Sequence, residues 1–132
     1  MPTVLDNSLF CTTSENIKFS KNGKIRTLLE PVVLYTDRFK GITFECGWMR
    51  IDNNRIIIYK GYSWNGCTFA RDNDKTNVAS CVHDALYLAI KLQIDRKVKD
   101  LIFYDELKKA DFEYPSLYYN GVRLFGGFYV KN

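Results

Sequence analysis

The sequence predicts an α+β fold, with N-terminal antiparallel strands and hairpins packed on a C-terminal bundle of about three helices. Three observations predict it. Short β-prone runs bounded by turn residues fill residues 1–70. The apolar period then changes, and from about residue 75 apolar residues recur at helical spacing. A length of 132 residues with 46% hydrophobic content suits a single domain spanning 1–132, mainly β over 1–70 and mainly α over 75–127.

The strand half reads as follows. Lys21-Asn22-Gly23-Lys24 is a turn through Asn-Gly. Leu28–Tyr35 and Gly41–Cys46 are short, β-rich and bounded by turn residues. Arg50–Tyr59 places Asn53-Asn54 between two β-prone arms, a hairpin signal. Gly61–Thr68 reads as an irregular loop with two glycines and two large aromatics.

The helical half begins with Val78, Val82, Ala85, Leu86, Ala89 and Ile90, which predict an amphipathic helix over Asn77–Leu92. Thr76 or Asp74 is placed to cap it. A second helix is predicted over Asp95–Lys109, with Val98, Leu101, Ile102 and Leu107 inward. A third starts at Tyr114-Pro115, with proline in its first turn. Gly126-Gly127 supplies a stop signal, and Phe128-Tyr129-Val130 is left as a closing strand.

Composition narrows the function classes. The net charge of +4 is spread along the chain, nine basic against six acidic residues in 1–70 and ten against nine afterwards. Nucleic-acid binding calls for a clustered basic stripe. The nearest approach, Lys18, Lys21, Lys24 and Arg26, alternates with apolar residues and reads as the solvated side of a hairpin. No apolar stretch approaches the roughly 20 residues of a membrane-spanning helix, and Met1–Asp6 lacks the features of a signal peptide. Synthesis in the cytoplasm is therefore expected. Cys11, Cys46, Cys67 and Cys81 show no Cys-x-x-Cys spacing, and zinc sites use closely spaced ligand pairs. Small buried thiols in a reducing compartment are the simpler expectation.

Chemistry centres on Ala79–Tyr87, which holds His83, the one histidine of the chain. Imidazole is the side chain whose unperturbed pKa lies nearest neutrality, which makes His83 the natural proton shuttle. Helical spacing puts Tyr87 on the face of His83 and turns Asp84 about 100° away. His83 and Asp84 therefore cannot be each other's hydrogen-bond partners. A base needs an orienting carboxylate, and Asp100 on the second helix returns to the level of His83 if the two helices are antiparallel. Arg96, four residues before Asp100, could pair with Asp100 or with Asp84. The same residues also fit a purely structural reading, a buried polar network that ties the helices together.

Residues 59–127 resemble a family of small phage and prophage proteins, the domain of unknown function 1353. The shared motifs are Gly61-Tyr62-Ser63-Trp64-Asn65-Gly66-Cys67-Thr68, Ala79–Tyr87, Arg96-Lys97-Val98-Lys99-Asp100-Leu101-Ile102-Phe103 and Val122-Arg123-Leu124-Phe125-Gly126. The chain departs from the family at Asn65, where the pattern has aspartate, and at Thr68, where it has serine. The resemblance implies a phage-encoded protein made in the cytoplasm of a bacterial host, with other virion proteins or the bacterial envelope as partners. His-Asp-x-x-Tyr on a helix, with an aspartate from a later helix, is also similar to the phospholipase A2 layout. That likeness implies His83 as base, Asp100 and Tyr87 as its orienting pair, and a calcium ion held by Asp84 and the loop carbonyls of Asn65 and Gly66. The activity it implies is hydrolysis of a lipid or cell-envelope bond. The alternative is a non-catalytic virion, tail or assembly component in which His83, Asp84, Arg96 and Asp100 form a structural network.

Overall fold

The computed structural model describes residues 11–67 and 71–131, with 125–131 described by backbone alone. Strand β1 (Phe19–Asn22) turns into β2 (Ile25–Leu28) through Gly23, whose φ of +64° suits glycine at the first position of a two-residue loop. The chain then crosses to a second sheet. Leu29, Glu30 and Pro31 are exposed and belong to no strand, so the predicted strand 28–35 is split between β2 and β3 (Val32–Tyr35). A 3-10 turn over Asp37–Phe39 follows, with the Thr36 hydroxyl accepting from the Arg38 amide and Phe39 buried. Of the predicted strand 41–46, Phe44–Glu45 alone pairs, as β4.

The Asn-Asn hairpin is present as predicted. Asn53 and Asn54 both take positive φ, 49° and 63°, as a type I′ turn requires, and join β5 (Met49–Asp52) to β6 (Arg55–Ile58). The four-stranded sheet runs β3-β6-β5-β4, antiparallel throughout. Within the glycine loop, Ser63–Trp64 forms β7 and pairs with Arg26 and Thr27, giving a second sheet of order β1-β2-β7.

Helix α1 (Asn77–Leu88) is buried nearly all round, as a central helix must be. One side packs with Leu34, Met49, Ile51, Ile56 and Ile58 from the strands. The other meets Phe103 and Leu107 of α2 (Arg96–Lys109) and Tyr118 and Val122 of α3 (Pro115–Lys131). Small residues at Ala79, Ser80, Ala85 and Ala89 permit this close approach on both sides. Two indoles bind α1 directly: Trp48 Nε1 donates to the Ala85 carbonyl at 3.0 Å, and Trp64 Nε1 to the Ser80 hydroxyl at 2.9 Å.

Helix ends differ from expectation for local reasons. Neither Thr76 nor Asp74 caps α1 by its side chain. Instead Asn73 caps the preceding 3-10 turn, in a capping box closed by Thr76. The helix stops at Leu88 rather than Leu92. There Ala89 leaves helical dihedrals (ψ 68°), and Lys99 Nζ takes the Leu86 carbonyl at 2.8 Å and the Ala89 carbonyl at 3.5 Å. Asp95, the predicted first residue of the second helix, is instead the N-cap of α2, one residue before it, and its carboxylate accepts from the Lys97 amide. Helix α3 runs through Gly126-Gly127, so the predicted closing strand 128–130 is helix. Glycine weakens a helix by about 1 kcal/mol but keeps its N–H, so the ladder can continue through it. No described helix is long and apolar enough to cross a membrane.

Candidate functional site

Because α1 lies between layers, its neighbouring polar residues face different partners. Asp84 turns to the strand side, where the Tyr62 hydroxyl donates to its Oδ2. His83 turns to α2. Its Nε2 lies 2.7 Å from Oδ1 of Asp100, and its ring packs at a tilt of 44° against both Tyr87 and Phe103, at centroid distances of 4.1 and 4.8 Å.

Asp100 is the hub. Its side chain is 0% exposed, yet both oxygens are hydrogen-bonded. Oδ1 accepts from His83 and from the Tyr87 hydroxyl. Oδ2 lies 2.7 Å from Nη1 of Arg123 and 3.4 Å from Nη1 of Arg96. The donors come from all three helices. Arg96 also reaches the Tyr87 hydroxyl and the α3 carbonyls of Val122 and Arg123 at 3.2–3.3 Å. Burial by itself would raise the Asp100 pKa; the bonds from His83 and Tyr87 and then the His83 charge and Arg123 outweigh it, leaving the carboxyl below its usual value.

The charge state of Asp100 fixes the imidazole tautomer. An ionised carboxylate only accepts hydrogen bonds, so His83 Nε2 must carry a proton. In neutral His83, Nδ1 is then the bare nitrogen. Nδ1 has no hydrogen-bond partner among the described residues, and the side chain keeps 13% of its exposure. The site therefore presents a held imidazole with its basic nitrogen uncommitted. Other nucleophiles are unfavourable here. Burial pushes the Cys67 thiol up to about 11, and Cys81 is fully buried and raised well above its ordinary value.

Of the residues expected from the sequence, the structure brings together His83, Tyr87, Arg96 and Asp100. Arg96 pairs with Asp100, not with Asp84. Asp84, Asn65 and Gly66 are not brought together as a calcium site. The Asp84 carboxylate is occupied by Tyr62, and burial raises its pKa despite that bond and the nearby His83 charge. Trp64 is fixed at Ser80, a full turn before Asp84, and the residue after Gly66, Cys67, is bonded through its amide to Asp72, ahead of α1. Gly66 packs on the Arg26 guanidinium and Asp72: a Cβ there would lie 2.5 Å from each. A cation already stands beside that loop. Among the described residues no group of three or more His, Cys, Asp or Glu side chains could hold a metal ion. The residues present do not fit calcium.

The sequence reading missed three features. Arg123 appeared only inside a motif, although it is the one charged residue between Pro115 and Val130. Tyr62 stands in the sequence as one of two large aromatics of the Gly61–Thr68 loop. It is the partner of Asp84, while Trp64 is buried and Phe69 lies outside the described residues. Arg26, expected on the solvated side of a hairpin, is not there. It is 4% exposed and pairs with Asp72, whose other oxygen accepts the Cys67 amide at 2.7 Å. Thr68 also lies outside the described residues.

No family model, no curated protein and no solved structure matches the chain.

Proposed function

We propose that this protein is a small hydrolase in which His83 is the general base and Asp100 and Tyr87 orient it. One observation carries the reading: Asp100 holds His83 by Nε2 and leaves Nδ1 bare on a partly exposed ring. In the reaction, Nδ1 removes a proton from a water molecule as the water oxygen bonds to an acyl carbon. The imidazolium so formed is stabilised by Asp100. It then returns the proton to the departing alkoxide or amine, and the bond to that group breaks. General-base assistance of this kind contributes typically 10²–10⁴-fold. The phage and phospholipase A2 resemblances direct the substrate to a lipid or cell-envelope ester or amide, in a protein made in a bacterial host and acting at the envelope or in the virion.

A second reading has its own observation. A fully buried carboxylate that binds side chains from three helices also suits a structural network in a non-catalytic virion or assembly component.

Release of fatty acid or envelope fragments by wild type and His83→Ala tests the first reading, and chemical denaturation of both proteins tests the second. Loss of release at near-native stability supports the hydrolase. Equal release by both, with a stability loss of a few kcal/mol in His83→Ala, supports the network. Since Asp84 and the Asn65-Gly66 loop do not fit calcium, a chelator should leave the release unchanged.

A further inference from the structure

The cation on α3 has capacity left over. Arg123 spends Nη1 on Asp100 at 2.7 Å, and its Nε and Nη2 have no hydrogen bond to a described residue. That edge is the side-on fork that grips a carboxylate or phosphate through two parallel bonds. The Arg123 side chain is 33% exposed and that of Arg96 28%. Both guanidinium groups sit on one oxygen of Asp100, and His83 sits on the other. The imidazole edge and the cations are thus separated by the breadth of one carboxylate, with Nδ1 on the far side of the ring. Charge adds to the geometry. Arg96 and Arg123 together exceed Asp100 by one positive charge. Asp84 lies half-buried on the strand side, where its Oδ2 accepts from Tyr62, and it pairs with neither guanidinium.

We infer that the surface beside His83 is an oxyanion-binding site, in which the free edge of Arg123 holds a phosphate or carboxylate group of the substrate next to the imidazole. The inference rests on His83 as the reacting group and names the substrate class: an anionic one. Arg96 is a positioning residue. Its own bonds to the Val122 and Arg123 carbonyls fix the α3 turn that carries Arg123.

The single histidine makes the test direct, because the side-chain NMR signals of His83 belong to no other residue. The whole chain is titrated with inorganic phosphate, and separately with acetate, at ionic strength held constant with chloride. Wild-type His83 should shift saturably with at least one of the two anions; the arm that responds distinguishes a phosphate from a carboxylate group. Arg123→Gln should weaken that binding by roughly tenfold or more, the loss of a charge-assisted contact. Arg123→Lys keeps a cation for Asp100 but has no fork, so it too should bind more weakly, and it decides the matter if Arg123→Gln does not fold. No saturable shift in wild type, or unchanged affinity in a folded Arg123 variant, overturns the inference. The two failures are separable. Envelope or lipid hydrolysis without anion binding removes this inference alone, whereas anion binding by a protein that hydrolyses nothing removes the base role and leaves the anion site.

Discussion

At the scale of single residues, Asp100 concentrates the largest consequences. Removing one member of a buried charged network costs about 3–5 kcal/mol, because its partners are left without compensation. Asp100→Leu should therefore destabilise the protein by that amount in urea or guanidinium unfolding. Its pH signature has a definite sign. The folded-state pKa of Asp100 is lowered, so its contribution is present above the ordinary aspartate value of about 3.9 and is lost as pH falls below it, through the folded pKa. Asp84 and Glu106 are raised by burial and act in the opposite sense, since the folded state favours their protonated forms as pH falls. Asp100→Asn should thus flatten the acid limb of the stability curve, and an unchanged limb would assign the acid loss elsewhere. Gly66 is the other telling position. Its φ is +75°, and an added Cβ would lie 2.5 Å from Arg26 Nη1 and Asp72 Oδ1. Gly66→Ala should lower the melting temperature by more than the effect of strain alone, which is itself above about 1 kcal/mol. Much of this scale could be read from the sequence. The 3.6-residue period predicts that His83 shares a face with Tyr87 and not with Asp84, and that is the arrangement found. Arg123 and Tyr62 escaped because they reach the site through tertiary packing, from 23 and 22 residues away in the chain.

At the scale of elements, local chemistry decides the boundaries. The hairpin at Asn53-Asn54 was legible because asparagine tolerates positive φ and two in succession suit a single turn type. The end of α1 was not, because the apolar period continues through Ala89, Ile90 and Leu92. A lysine on the next helix ends it instead. Lys99 is buried, and desolvation lowers its pKa while Asp100 partly restores it. Its ammonium occupies the last carbonyls of α1, at the negative end of the helix dipole. Lys99→Met keeps the aliphatic stem and removes the donor. The Leu86 and Ala89 carbonyls keep the Ala89 and Leu92 amides, so the cost should be that of a lost hydrogen bond from a charged donor, about 1.5–3 kcal/mol, measured by thermal or chemical unfolding. By contrast, Arg38 and Asp105 form a well-aligned two-bond pair at the surface. Arg38→Ala should change stability by less than about 1 kcal/mol, since exposed ion pairs contribute little. The glycine pair Gly126-Gly127 does not stop α3, for a related reason. Stop signals act locally, whereas a helix of 17 residues can carry two weak positions.

At the scale of the molecule, the strand half and the helical half meet across α1. The fold class was legible because period and turn residues agree on where one half gives way to the other. The sequence does not display how the two sheets divide β2, β3 and β7, because cross-strand pairing depends on which segments meet in space. The placement of α1 explains why one short motif serves two layers. Asp84 answers to the strands through Tyr62, and His83 to the helices through Asp100.

The Asp100 hub has a consequence for the way the protein breathes. Any motion that peels α3 away takes Arg123 from a carboxylate that water cannot reach, and it frees Arg96 from the Val122 and Arg123 carbonyls at the same time. Partial opening is therefore penalised at both ends, and the three helices should open together or not at all. Backbone amides in the middle of α1, α2 and α3 should then exchange their hydrogens with a common protection, whereas Asp100→Asn should let α3 exchange ahead of the others.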